Sequence, residues 1–139
     1  MATAIRPEIS EKNKYWIDRH RYYELKHFCL QYPTWKETYR MYENPQISSS
    51  SFEQIRSSNV PSDPTSRNAM LKAQYGERID MIEKAAKRAD EELHNYILKA
   101  ITEGLSYTYM KTKMDIPCGK DMYYDRYRRF FWILDQIRE

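Results

Sequence analysis

Histidine, cysteine and clustered charge are the residue types with which this chain could do chemistry. His20, His27 and Cys29 fall close together, yet the two histidines are seven residues apart. Two helical turns separate such positions, so the pair cannot close on one metal without outside ligands. Packing or solvent exposure accounts for them. No His-x-Glu, Cys-x-x-Cys or HExxH pattern occurs. Cys118 sits at a turn just before an expected helix start, where a thiol pKa can fall. No histidine is close to it in sequence, and it reads as a packing residue. Glu83, Asp90, Glu91 and Glu92 read as a solvated face. The sequence has three glycines and neither a GxGxxG nor a GxxxxGK[ST] pattern, which excludes those phosphate loops. It therefore predicts no catalytic residue, no cofactor and no metal site, and the chain is not read as an enzyme.

What remains is a set of basic and aromatic residues over 106–136. Ser106 is a helix N-cap, and Tyr107 to Met114 is a short helix with Met110 and Met114 on one face. Asp115-Ile116-Pro117-Cys118-Gly119 cannot continue it, because Pro117 lacks an N–H and restricts Ile116. A new helix opens at about Lys120 and runs to about Gln136. Its apolar positions are Tyr123, Tyr127, Phe130, Phe131 and Leu134. A helix, a turn with one inward apolar residue (Ile116) and a second helix make the layout of a helix-turn-helix. In that layout the second helix enters the major groove of duplex DNA, led by its N-terminal residues. The face opposite Tyr123, Tyr127 and Phe130 would present Lys120, Asp121, Tyr124, Asp125 and Arg128. Lys120 and Arg128 suit guanine edges or phosphates, Tyr124 a phosphate or a thymine methyl, and Asp121 cytosine N4. Lys111 and Lys113, on the preceding helix, suit phosphates. Asp121 and Asp125 oppose phosphate attraction, and a helix serving a protein partner would read similarly.

The elements that must position this unit are helical. An aromatic hairpin is expected over 9–43: a long helix from an N-cap at Ser10 to about Tyr32, a break at Pro33, then a short helix on Trp35, Tyr39 and Tyr42. In its first helix, Ile17, Glu24, Leu25, Phe28 and Tyr32 fall near one face. Trp16, Tyr23, His27 and Leu30 fall near another, so the helix should be touched from two sides. Residues 45–62 form a Ser/Pro-rich linker with few strong apolar anchors, Phe52 and Ile55 being the candidates to dock, and mobility is expected there. Asp63-Pro64 then opens a long helix with Leu71, Tyr75, Ile79, Ile82, Ala86 and Ala89 at steps of three and four. Asp90-Glu91-Glu92 is either a new cap or an acidic turn. Leu93, Ile97, Ala100 and Ile101 continue the stripe to Gly104, a C-terminal cap followed by Leu105. The fold class is all-α. The segments are 1–44, the hairpin; 45–62, the linker; and 63–139, a helical module ending in the helix-turn-helix. The hairpin is too small to stand alone and should dock on the C-terminal module or on a second chain.

Composition fits this reading. The chain has 139 residues and 31% charged side chains. Its longest apolar run is Phe130 to Leu134, far short of a bilayer span, so no membrane is expected. No signal peptide is read at the start, and Cys29 and Cys118 read as reduced cytoplasmic thiols. The net charge of +3 permits nucleic-acid binding without arguing for it.

Three stretches carry a resemblance: Glu103-Gly104-Leu105-Ser106, Met114-Asp115-Ile116-Pro117, and Met122-Tyr123-Tyr124-Asp125-Arg126-Tyr127-Arg128-Arg129. They resemble the C-terminal end of phage and prophage transcriptional regulators of the RinA/ArpU type. Ser62-Asp63-Pro64-Thr65, leading into the long helix, is also similar to that family. The resemblance covers roughly residues 60–139. Lys14-Tyr15-Trp16 to Tyr32-Pro33-Thr34-Trp35-Lys36 looks like the N-terminal segment of prophage-encoded proteins of Gram-positive gut bacteria. The resemblance implies a helix-turn-helix like that of sigma-factor region 4, and a sequence-specific regulator in a bacterial cytoplasm, associated with the nucleoid. Where that family caps its recognition helix with Ser or Thr, Gly119 stands here. A DNA-packaging small terminase subunit and a protein-binding helical adaptor are the alternatives. The partners expected are duplex DNA and a second copy in a homodimer, with RNA polymerase a further candidate for the aromatic hairpin.

Overall fold

The computed structural model describes residues 13–43 and 64–138. The expected linker at 45–62, the cap at Ser10 and the cap at Asp63 lie outside the described residues. The described residues are all-helical: α1 (Arg19–Leu30), α2 (Tyr32–Glu43), α3 (Pro64–Ala89), α4 (His94–Glu103), α5 (Tyr107–Lys113) and α6 (Lys120–Arg138).

The first helix starts later than expected. Residues 13–18 are not helical. Asn13 Oδ1 accepts from the Tyr15 N–H at 2.8 Å, a local bond that competes with the helix. Asp18, in an extended conformation, is the N-cap and accepts from the His20 N–H at 3.0 Å. Only one face of α1 is deeply buried, through Tyr22, Leu25, Phe28 and Cys29. His27 and Leu30, assigned to a second contact face, are exposed. The break falls at Gln31 rather than after Tyr32, so that Pro33 lies in the first turn of α2. There its missing N–H has no helical partner to lose.

α3 carries Ile79, Ile82, Ala85, Ala86 and Ala89 into the core, while Leu71 and Tyr75 are half-buried. Its small residues let α6 lie along it. α2 crosses the earlier half of α3 at Gly76. A Cβ there would stand 3.0 Å from the Tyr39 ring, so glycine permits the close approach. Asp90 ends α3 and supplies the next start. Its Oδ1 accepts from the N–H groups of Glu92 and Leu93, both at 2.8 Å, and α4 follows at His94. Gly104 ends α4 in the left-handed region, at φ 70°, as its cap position requires.

One core joins these helices. Ile17, Tyr22, Leu25 and Phe28 belong to the same cluster as Ile82, Ile97, Met110, Phe131 and Leu134. The hairpin therefore docks within the chain, α1 against α4 and α6, and α2 against α3. Tyr22 is the main contact: its ring meets Phe131 edge-on at 5.1 Å, and its hydroxyl lies 2.7 Å from that of Tyr127. Arg21 Nε donates to Asp135 Oδ1 at 2.6 Å beside it. No helix among the described residues is long and apolar enough to cross a membrane.

Candidate nucleic-acid interface

The helix-turn-helix layout is built from the turn outward. Ser106 Oγ accepts from the Tyr109 N–H at 3.1 Å and starts α5. At its end, the Met110 carbonyl accepts from the N–H groups of both Met114 and Ile116, each at 3.1 Å. Between them Asp115 adopts φ 54°, the left-handed conformation that closes a helix. This turns Ile116 inward, fully buried alongside Met110 and Tyr123 in the core. The Tyr107 hydroxyl donates to the Cys118 carbonyl at 2.8 Å and pins the turn. The Gly119 carbonyl accepts from the Tyr123 N–H at 3.0 Å, which makes Gly119 the N-cap of α6. The position is open, with nothing within 4 Å of a Cβ built there, so a serine or threonine would fit.

A left-handed aspartate is strained where glycine is not. Asp115→Gly relieves the strain but loosens the unfolded chain. The expected net effect is a gain of about 0.5 kcal/mol, from the left-handed penalty of about 1–2 kcal/mol less the glycine entropy cost. Chemical denaturation checks it, and a loss of stability would mean that the aspartate side chain holds the turn.

The sequence-predicted residues divide into two groups. Lys111, Lys113, Lys120 and Asp121 are exposed on α5 and the first turn of α6. Lys111 Nζ reaches back to the Ile116 carbonyl at 3.4 Å, close enough to leash it to the turn. Tyr124, Asp125 and Arg128 are only half-exposed, against the expectation of an open face. Tyr124 lies in a ring cluster, 5.0 Å from Tyr123 and 6.2 Å from Tyr127. Burial pushes its hydroxyl pKa up, with the Tyr107 hydroxyl adding to the rise. Asp125 pairs with Arg126, whose Nε also donates to Asp90 Oδ2 at 2.8 Å. Arg128 departs furthest: its Nε is enclosed and has no hydrogen-bond partner among the described residues. It does not stand opposite the apolar stripe. It follows Tyr124 by one turn and precedes Phe131 and Asp135 by one and two, on the flank that meets Tyr22 and Arg21 of α1.

Two exposed residues were not anticipated. Tyr109 on α5 is 42% exposed and Met122 on α6 is 40% exposed. Met122 carried a legible signal, since it is a large apolar residue lying off the Tyr123–Tyr127–Phe130 stripe. Large exposed apolar side chains on the two helices that flank the turn suit contact with thymine methyls or with an apolar partner. The cysteines sit in ordinary packing environments. Cys29 is buried and its thiol pKa is pushed up by desolvation. Cys118 packs against the core, and burial raises its thiol as well, although Lys111 and Arg126 pull the other way. Among the described residues, no three His, Cys, Asp or Glu side chains gather as a metal ligand set.

What the arrangement offers chemically is three exposed lysines, Lys111, Lys113 and Lys120, on α5 and the first turn of α6, with Asp115 and Asp121 exposed among them. Comparison of the chain with protein-family models, with curated proteins and with solved structures finds no match.

Proposed function

We propose that this protein is a sequence-specific duplex-DNA-binding regulator of transcription, of the phage or prophage kind, that contacts DNA through α5 and the opening turn of α6. The observation in favour is the short α5, the turn plugged by Ile116, and the exposed first turn of α6 carrying Lys120 and Asp121. In this reading Lys120 reaches a base edge or a phosphate, Lys111 and Lys113 hold the backbone, and Asp121 accepts from a cytosine amine. Arg128 supports the α1–α6 flank instead of reading bases.

Residues 106–130 hold six basic side chains and three acidic ones. Arg126 is neutralised by Asp90 and Asp125, and Arg128 is half-enclosed. Few phosphates can be neutralised by one such unit, and affinity at physiological salt would be poor. The proposal therefore includes a homodimer on paired half-sites, one helical turn or a multiple of it apart. It places the protein in a bacterial cytoplasm on the nucleoid, with RNA polymerase as a further partner. A ring of eight or more subunits by light scattering would instead favour the small terminase reading. The helical adaptor reading has Tyr109 and Met122 in its favour, and it predicts no retardation of duplex DNA.

The expected result for Lys120→Ala is a loss of about 1–3 kcal/mol in specific binding, with an unchanged melting profile. Lys113→Ala should weaken all duplexes alike and reduce the salt slope by about one. Fluorescence anisotropy across a salt series measures both. Wild-type affinity and preference in Lys120→Ala would remove this helix from the groove.

A further inference from the structure

A cavity of about 250 Å³ lies where α1, α4 and the helix-turn-helix meet. Its floor is Ala100 and Ile101 of α4, and the Gly104–Ser106 bend forms one rim. Four tyrosines line the rest: Tyr107 from α5, and Tyr123, Tyr124 and Tyr127 from α6. Their rings are mutually tilted, with centroids 5.0–6.4 Å apart, so the lining is one continuous aromatic cluster. The charge is one-sided. Lys26 of α1 is the sole ionisable cation on the lining, and no carboxylate lines the space. Among the described residues Lys26 has no ion-pair partner, although neighbouring Arg21 has two.

We propose that this cavity is a binding site for a small planar anion, a single-ring aromatic carboxylate, with its ring among the tyrosines and its carboxylate on Lys26. The size argues for one ring, because pockets for larger, drug-sized ligands run from about 300 to 1,000 Å³. The aromatic walls favour a flat, polarisable ligand over a compact inorganic anion. Half-exposed Lys26 lines the same space as the tyrosines, and beside such a surface a carboxylate gains more than it would in open water. The walls come from α1, α4, α5 and α6, so an occupant would tie the hairpin to both helices of the turn unit. The site does not depend on the proposed DNA reading, and its test contains no DNA.

The test uses the full chain and benzoate as the probe, with benzyl alcohol as its neutral counterpart and inorganic phosphate as an anion without a ring. Isothermal calorimetry and ligand-observed NMR should show saturable benzoate binding, with Kd on the order of 1 mM or tighter. Benzyl alcohol should bind about tenfold more weakly, and Lys26→Gln should cost benzoate about tenfold while leaving benzyl alcohol unchanged. Lys26 is half-exposed, so the variant should fold, and circular dichroism verifies that it does. Tyr124→Leu should weaken both ring compounds and keeps the idea testable from the opposite wall. No saturable benzoate binding at tens of millimolar would overturn the proposal. Equal benzoate affinity in Lys26→Gln, or phosphate binding as tightly as benzoate, would overturn it as well.

Discussion

Phe131→Ala is expected to destabilise the protein by about 3–5 kcal/mol, the range for a fully buried aromatic. Phe131 is wholly buried and touches three rings: Tyr22 at 5.1 Å, Tyr127 at 5.1 Å and Phe130 at 5.0 Å, all edge-on. Truncation leaves a cavity that Tyr22 on α1 and Tyr127 on α6 cannot both close, because their hydroxyls hold each other at 2.7 Å. A loss of this size is a large share of the roughly 5–15 kcal/mol that stabilises a typical domain. Tyr22→Ala should show partial rather than additive loss in the double variant, with a coupling of about 0.5–1.5 kcal/mol. Urea titration followed by tryptophan fluorescence measures both. A cost below about 1 kcal/mol for Phe131→Ala would mean that α1 does not dock on α6.

Asp90→Ala should cost about 2–4 kcal/mol, through two losses at once. One carboxylate oxygen caps the turn into α4, through Glu92 and Leu93, and the other holds Arg126 of α6. The capping loss alone is typically about 1 kcal/mol, and a bond to a charged group adds about 1.5–3 kcal/mol. Asp90→Asn keeps the cap and loses the charge, so it should fall between. Burial on its own raises the Asp90 pKa. The bond from Arg126 and the two backbone N–H groups outweigh burial, and the net shift is downward. A carboxylate with a depressed folded pKa contributes stability that is present above its unfolded value, about 3.9. That contribution is lost as pH falls through the folded value. The gap between wild type and Asp90→Ala should therefore be full at pH 6 and narrow as pH falls from about 4. A gap that stays constant down to pH 2 would show that the pairing carries no charge-dependent stability.

Periodicity made most of the architecture legible. The stripe Ile79, Ile82, Ala86 and Ala89 is buried as its spacing requires, and Gly104 and Ser106 cap the helices that they were expected to cap. Those signals are local: a glycine that must be left-handed, or a hydroxyl that reaches an N–H three residues on. The apolar pattern does not locate the start of α1, because Asn13 Oδ1 ties up the Tyr15 N–H ahead of the helix and Asp18, not Ser10, caps it at the His20 N–H. The exposed face of α6 was legible only in part. Lys120 and Asp121 stand in the open first turn, where no other element covers them. Tyr124 is covered by the Tyr107 ring of α5, and Arg128 lies on the flank of α6 where α1 docks. That is a long-range contact between Tyr22 and Phe131, more than a hundred residues apart, and spacing within α6 carries no trace of it. The pairing of Arg126 with Asp90 escaped for the same reason, since an ion pair across 36 residues has no local signature.

The most direct measurement is selection of bound duplexes from a random pool by the full chain, in parallel with Lys120→Ala at one fixed salt concentration. The account predicts an enriched motif with two related half-sites, separated by one helical turn or a multiple of it, and loss of preference at one position of each half-site in Lys120→Ala. A wild-type pool that stays random through successive rounds, or an identical motif from both proteins, would contradict it.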